Sequence, residues 1–169
     1  MSRRDAESDE TRAAEGAQIP IPIAGLDHVV LRVRDLERSI GFYEQVLGCR
    51  EERRLEELGL VQLRAGASLI DLVDVDSPLG RAGGGDRSPD GPNLDHFALS
   101  LSALDEEALR SHLARFGVEA DETAQRYGAQ GTGPSIYIRD PDGNTVELKG
   151  PPSAEGSRTG SDLDRAAGS

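Results

Sequence analysis

The sequence has one cysteine, one lysine, three histidines and no tryptophan. The single cysteine, Cys49, excludes a disulfide within the chain and a zinc site built from several thiolates. No run approaches the roughly 20 apolar residues that a membrane-spanning helix needs, and no apolar signal-peptide core follows Met1. These absences predict a soluble, cytoplasmic protein in which any metal is held by nitrogen and oxygen atoms.

Basic residues are also few relative to acidic ones. Nineteen Lys and Arg against 31 Asp and Glu give a formal net charge of −12. This charge repels phosphate backbones and anionic lipid surfaces, and no basic stripe with interleaved aromatic residues offsets it. We therefore expect neither nucleic acid nor a membrane as a partner.

The length of 169 residues and the 36% hydrophobic content suit a single domain. Residues 1–23 and 151–169 are rich in polar and small residues, and we expect disordered tails there because they cannot bury enough apolar surface to fold. The folded domain is predicted over 24–150. The first module is predicted at 25–75 and the second at 94–150. Between them, residues 76–93 are rich in Gly, Pro and Ser and are predicted to form an exposed connection.

An internal repeat organises the predicted domain. Residues 26–33 (LDHVVLRV) have the alternating, β-branched pattern of a strand, and residues 94–101 (LDHFALSL) repeat that pattern. Each copy precedes a helical pattern. The first helix begins at Asp35, and the second is predicted to begin at Ser102.

Glycines close the two helical patterns, at Gly48 and Gly117. Three strand-like segments follow each helix, at 49–55, 58–65 and 68–74 in the first half and at 118–123, 134–139 and 144–149 in the second. The fold class is therefore predicted as α+β, with two tandem βαβββ modules.

The histidines and carboxylates of the repeat indicate a metal site. Strand alternation places His28 on the face of the first strand turned away from its helix, and His96 occupies the same position of the second copy. The last strand of each half puts a carboxylate, Asp71 or Glu147, between two aliphatic residues on that same face. If the two sheets pair about a pseudo-two-fold axis, these four side chains line one cavity. Imidazoles and carboxylates in these numbers suit zinc, nickel, manganese or iron(II) and leave positions open for water or substrate.

Structural roles compete with the metal hypothesis at each position. A lone histidine in a strand is usually structural, but two of three histidines at equivalent repeat positions favour ligands. Glu147 would be costly to bury unpaired, which favours a ligand there. Asp71, one methylene shorter, either reaches the ion or hydrogen-bonds a bound water or a ligand histidine. His112, on the outer helix, is interpreted as a structural residue, and Cys49 as inert packing.

Three segments carry a resemblance to a known family: LDHVVL at 26–31, SIGFYEQVLG at 39–48 and YIRDPDGNTVEL at 137–148. Over residues 25–149 the sequence resembles the vicinal oxygen chelate superfamily, which includes glyoxalase I, bleomycin-resistance proteins and extradiol dioxygenases. The resemblance implies that the paired βαβββ modules form a half-barrel around one divalent metal ion. It also implies a homodimer whose sites are built within one chain or across two.

The resemblance also implies the ligands. They fall on His28, His96 and Glu147, and the fourth position of a glyoxalase-like set falls on Asp71, where glyoxalase I enzymes carry glutamate.

Function is implied only as a class, a metal-dependent enzyme acting on a small oxygenated substrate. The leading hypothesis is a glyoxalase I-like lyase or isomerase with a thiol cosubstrate, in which Glu147 is the catalytic base and the metal stabilises an enediolate. Alternatives are an iron(II) extradiol dioxygenase, an epoxide-opening thiol transferase and a bleomycin-resistance-like binding protein. A dioxygenase needs a further acid or base, for which Tyr127 and Tyr137 are candidates. The segments 76–93 and 125–134 are interpreted as the loops that set specificity.

Overall fold

The computed structural model describes residues 24–83 and 94–152, and here each half of the chain forms a four-stranded mixed sheet. The first sheet contains β1 (His28–Val33), β2 (Arg50–Leu55), β3 (Leu60–Ala65) and β4 (Ser68–Asp74). The second contains β5 (His96–Ser100), β6 (Ala124–Gly128), β7 (Gly131–Arg139) and β8 (Thr145–Lys149). The strand orders are β1-β4-β3-β2 and β5-β8-β7-β6, so the two halves share one topology. The predicted α+β fold of two βαβββ modules is confirmed.

The first helix, α1 (Leu36–Gly41), begins at Asp35, whose side chain accepts a hydrogen bond from the backbone N–H of Arg38. The helix continues into a π-helical turn at Phe42–Val46. Gly48 follows with a φ of 71°, a left-handed conformation that glycine adopts at little cost. Both predicted ends of this helix therefore agree with the structure.

The remaining helical segments are short: a 3₁₀ turn at Glu56–Leu58, α2 (Pro78–Ala82) and α3 (Glu106–Arg115). The start of α3 differs from the prediction at Ser102. Asp105 caps the helix, and its carboxylate accepts a hydrogen bond from the backbone N–H of Ala108 at 3.0 Å. A carboxylate at this position also interacts favourably with the helix dipole.

In both modules the first strand pairs in parallel with the last strand, and the two pairings have the same register. β1 lies parallel to β4 with Val30 opposite Asp71, and β5 lies parallel to β8 with Ala98 opposite Glu147. Side chains two residues apart on a strand share a face. Each histidine therefore lies on the same face as the carboxylate of its own module. It comes two residues before the residue that pairs with that carboxylate.

A single hydrophobic core is shared by the two modules. It includes residues of both halves, among them Leu31, Val33, Ile40, Tyr43, Leu63, Ile70, Leu72, Phe97, Leu113, Ile138, Val146 and Leu148. One face of each sheet packs into this core. The faces that carry His28 and His96 are turned away from it, as strand parity predicts.

The predicted strand at 118–123 and the predicted loop at 125–134 were wrong. In the first segment the ladder is limited to one bridge, between Ala120 and Ile138. The hairpin of β6 and β7 occupies the second segment instead, with Gly128 opposite Gly131 at its end. Glycines lower strand propensity, but here they permit a tight reversal, with Gly131 at a φ of 122°.

The predicted exposed connection at 76–93 is only partly covered by the described residues, and 84–93 lie outside them, as do 1–23 and 153–169. Where it is described, most residues of the connection are exposed, as predicted, but it also contains the short helix α2, which was not predicted. Ser77 caps this helix by accepting a hydrogen bond from the Gly80 N–H at 2.9 Å, and both residues are buried. Among the described residues, no helix is long and apolar enough to cross a bilayer.

Cys49 is buried in the shared core, in agreement with its interpretation as packing. Burial raises the pKa of its thiol to about 11, and the charge of Glu44 adds to the effect. Because the thiolate is the reactive form, we expect Ellman's reagent at pH 8 to label the folded protein very slowly and to label it fully in guanidinium chloride. Fast labelling of the folded protein would show that Cys49 is accessible.

Candidate metal centre

Each module pairs one histidine with one carboxylate on the face turned away from the core. In the second module the pair is in contact, because Nε2 of His96 lies 3.3 Å from Oε2 of Glu147. In the first module His28 and Asp71 lie within electrostatic reach of each other, and the charge of Asp71 contributes to a raised pKa of His28. The two modules thus present equivalent half-sites, His28 with Asp71 and His96 with Glu147.

A second carboxylate fixes each imidazole from the opposite side. Nδ1 of His28 lies 2.7 Å from Oδ1 of Asp27, and Nδ1 of His96 lies 2.7 Å from Oδ2 of Asp95. A carboxylate can only accept, so Nδ1–H donates and the neutral ring keeps its lone pair on Nε2. Hydrogen bonds of this kind commonly orient histidine ligands of metals. Asp27 and Asp95 were not among the predicted site residues, although the Asp-His pair in both repeats could have revealed them.

The two site carboxylates are nearly fully buried, with Asp71 5% and Glu147 6% exposed. Each has one oxygen with no hydrogen-bond partner among the described residues, Oδ1 of Asp71 and Oε1 of Glu147. A buried anionic oxygen without a donor costs free energy, and a bound ion or water molecule would satisfy such a group. Because the unsatisfied oxygens occur at equivalent positions beside equivalent histidines, the donor set fits a divalent transition-metal ion.

The strand next to each carboxylate contributes one more polar side chain to the site. Gln62 lies opposite Asp71 and donates from Nε2 to Oδ2 of Asp71 at 2.9 Å. Tyr137 lies opposite Glu147, and its ring meets that of His96 edge to face, with centroids 5.4 Å apart. Gln62 was not among the predicted site residues. Its equivalence to Tyr137 is visible only once the register is known.

Within one chain the two half-sites do not combine. No group of three or more His, Cys, Asp or Glu able to hold a metal ion occurs in the described parts of the chain. The two sheets are not hydrogen-bonded to each other there, and β1 and β5 each lie at an edge. The predicted ligand set of His28, His96, Glu147 and Asp71 therefore remains a prediction. The described residues of one chain carry its two half-sites at separate places.

The remaining histidine, His112, lies away from both half-sites. Its Nε2–H donates to the backbone carbonyl of Val46 at 2.9 Å, and its ring packs against Phe116. This contact joins α3 to the turn after α1. The structural interpretation of His112 agrees with this position.

The hydrogen bond from His28 to Asp27 has a measurable electrostatic effect. It raises the pKa of His28 above its ordinary value of 6.5, because the carboxylate stabilises the imidazolium. We expect Asp27→Asn to lower the pKa of His28 in metal-free protein, measured from ring proton shifts by NMR. The matched variant Asp95→Asn should leave the titration of His28 unchanged, and an equal effect of both variants would contradict this assignment.

The segment Asp140–Asn144 joins the two modules rather than forming part of the metal centre. Oδ1 of Asp140 accepts hydrogen bonds from the backbone N–H groups of Asp142 and Asn144, while Oδ2 accepts from the buried hydroxyl of Tyr43 at 2.8 Å. Burial and the charge of Asp140 raise the pKa of Tyr43 well above its usual range, so the hydroxyl stays protonated and donates.

Asp142 makes a second connection from the same turn. It accepts hydrogen bonds from the backbone N–H and the Nε of Arg34, at 3.1 and 2.9 Å, and from Ser39. The turn before the strand of Glu147 is thereby fixed to the segment after the strand of His28.

Comparison with known proteins defines the class. The family model described as "Glyoxalase/Bleomycin resistance protein/Dioxygenase superfamily" matches residues 25–148. The chain belongs to this superfamily, as its resemblance to vicinal oxygen chelate proteins predicted. Members of the superfamily include both enzymes and resistance proteins, so membership alone does not define a reaction.

Similar proteins with solved structures extend the comparison. The chain is 30% identical over 136 residues to the virulence protein STM3117 of Salmonella typhimurium, covering 77% of this chain and 86% of that protein. The integron cassette protein VCH_CASS1 of V. cholerae is 28% identical, with a TM-score of 0.59 and coverage of 78% and 98%. Lactoylglutathione lyase of Agrobacterium tumefaciens shares the fold at 21% identity and a TM-score of 0.53, covering 77% and 96%.

Proposed function

We propose that this chain is a divalent-metal-dependent enzyme of the glyoxalase I type, acting on a small oxygenated substrate. The observation that carries the proposal is the pair of buried, unsatisfied carboxylate oxygens of Asp71 and Glu147. A structural role for these carboxylates would leave both oxygens without a donor. A zinc, nickel, manganese or iron(II) ion accounts for them at both positions.

The complete site is assembled from two copies of the chain. Exposed hydrophobic residues lie on or just before the edge strands: Val30 is on β1, Leu26 precedes β1 and Leu94 precedes β5. Unpaired strand edges with exposed apolar side chains favour pairing with another chain. When β1 of one copy lies beside β5 of the other, the half-site of His28 and Asp71 meets that of His96 and Glu147. A two-fold dimer then contains two such sites.

A divalent ion in this site supplies Lewis-acid polarisation of a substrate carbonyl, which makes the neighbouring C–H acidic. Glu147 acts as the general base. Its carboxylate takes the proton from that carbon and returns it to the former carbonyl carbon, while the hydroxyl proton moves between the two oxygens, so that no atom is gained or lost. Burial of Glu147 keeps water from competing for the proton.

Asp27 and Asp95 hold the imidazoles in one tautomer, and Gln62 orients Asp71. These residues position the ligands. Their donors and acceptors are already directed before substrate arrives, which lowers the reorganisation that the reaction requires.

Turnover of methylglyoxal tests the reaction type. We expect metal-free protein, reloaded with nickel, zinc, manganese or iron(II), to convert methylglyoxal and glutathione or another thiol into the hydroxyacyl thioester. The Glu147→Gln protein, which lacks the base, should lose about 10²- to 10⁴-fold in rate when it and the wild type are compared at equal measured metal content. Absence of turnover with every metal and thiol, in protein shown to bind metal, would reject the glyoxalase reaction but retain the metal site.

An extradiol-type dioxygenase is the second candidate, because the ring of Tyr137 lies against His96 on the site face. A tyrosine there can supply the acid or base that such a reaction needs beside two histidines and one carboxylate. Oxygen-dependent ring opening of a catechol by the iron(II)-loaded protein, lost in Tyr137→Phe, would favour this candidate over the lyase.

A further inference from the structure

The only lysine of the chain is buried on the strand that carries Glu147. Lys149 lies two residues after Glu147 on β8, so both side chains are on the face turned away from the core. It is 8% exposed, and its Nζ donates to the backbone carbonyl of Gly133 at 2.9 Å. An ammonium group has three donors. Among the described residues no carboxylate lies within ion-pair distance of it.

A second polar group beside this lysine lacks a partner. Ser135 is the cross-strand neighbour of Lys149 on β7 and is completely buried, and its Oγ has no hydrogen-bond partner among the described residues. Directly paired residues of neighbouring strands present their side chains on the same face. The side chain of Lys149 and the unsatisfied hydroxyl of Ser135 therefore lie on the same face of the sheet as Glu147.

The lack of a side chain at Gly128 leaves space for the lysine side chain, and the lack of one at Gly133 leaves space for the backbone after β8. A Cβ at Gly128 would lie 2.9 Å from Cε of Lys149, and a Cβ at Gly133 would collide with the backbone of Pro151. The glycine-rich hairpin of β6 and β7 is thus shaped to hold an extended lysine across it. Arg126, which pairs with Gly133, adds an exposed positive charge on the same face of the hairpin.

We propose that Lys149 and Ser135 form a subsite for an anionic group of the substrate, a carboxylate or a phosphate-type oxyanion, beside the metal centre. A buried ammonium without a counter-charge is costly, and an anion accepting from both Nζ and Oγ removes that cost. The formal net charge of −12 otherwise repels anions, so recognition of an acidic substrate requires a local cation. Assigning the anion to the substrate rests on the proposed function, whereas anion binding itself does not.

Thermal unfolding in the presence of inorganic phosphate tests the subsite. Full-length, metal-free protein is compared in phosphate and in sodium chloride at equal ionic strength, with acetate as the carboxylate arm. We expect the preferred anion, at about 100 times its dissociation constant, to raise the Tm by roughly 5 °C or more. Lys149→Met should abolish this shift, Ser135→Ala should reduce it, and Lys149→Arg should keep part of it.

Equal shifts in wild type, Lys149→Met and Ser135→Ala would overturn the proposal, as would no shift with either anion. Elemental analysis of metal content distinguishes failure of the anion subsite from failure of the proposed metalloenzyme function. We expect Lys149→Met to take up as much zinc or nickel as wild type. A Lys149-dependent anion shift in a protein that binds no metal would keep the subsite and reject the metalloenzyme.

Discussion

Replacing Glu147 with alanine is expected to lower the affinity for zinc or nickel by at least about 100-fold, since loss of groups that merely support a ligand already costs 10- to 100-fold. The carboxylate is 6% exposed and has an unsatisfied oxygen next to Nε2 of His96. Its removal takes away both a ligand and the negative charge that offsets the ion. Competition with a chromophoric chelator, on protein of verified oligomeric state, measures the change.

Glu52→Ala is the matched control for this prediction. Glu52 lies on β2 and pairs with Arg64, so the variant removes an equal charge from a residue that belongs to neither half-site. His96→Ala should lose affinity as Glu147→Ala does. Metal affinity unchanged in Glu147→Ala, or lowered equally in Glu52→Ala, would exclude Glu147 as a ligand.

The second large effect is expected on stability. Replacing Asp140 with alanine should lower the free energy of unfolding by about 3 to 5 kcal/mol, since removing one partner leaves several buried donors unsatisfied. Those donors are the Tyr43 hydroxyl and the backbone N–H groups of Asp142 and Asn144. Denaturant unfolding followed by circular dichroism measures the change.

Tyr43→Phe is the companion variant. It removes a single donor and leaves Asp140 with its bonds to the turn, so a loss of about 1 to 2 kcal/mol is expected. The double variant should be less destabilised than the sum of the two, because both changes remove the same hydrogen bond. An additive result would mean that this bond contributes little to joining the modules.

The half-sites could be predicted from the sequence because strand parity is a strict local rule. His28 and His96 each follow a Leu-Asp pair in a repeated strand pattern, and Asp71 and Glu147 each lie between aliphatic residues. Both features depend only on the two-residue period of a strand. The β1–β4 and β5–β8 pairings were not predicted, and the structure shows the same parallel pairing in both modules.

Other features depend on contacts between distant segments and could not be predicted. The segment 125–134 was assigned to a loop because of its glycines, yet these glycines allow the hairpin to approach Lys149 and Pro151. The helix cap fell on Asp105 rather than Ser102, a choice between two acceptable capping residues. Whether the two half-sites meet within one chain depends on how the sheets dock, which no local pattern specifies.

The Asp-Pro-Asp-Gly-Asn segment has a structural role that was not predicted. Its sequence indicates a turn and resembles a family motif. In the structure its two aspartates bind Tyr43, Arg34 and Ser39 of the other module. A turn motif can therefore hold together the modules on which the candidate site depends.

The most direct test of the account is metal binding after subunit exchange between two inactive variants. His28→Ala and His96→Ala proteins each lack one ligand in every site. If sites are shared between copies, a mixed dimer contains one intact site, built from the intact His28 of one copy and the intact His96 of the other. Statistical mixing then restores about a quarter of the wild-type metal per chain. If the wild-type protein binds metal but the exchanged mixture binds none, the site is not shared between two copies.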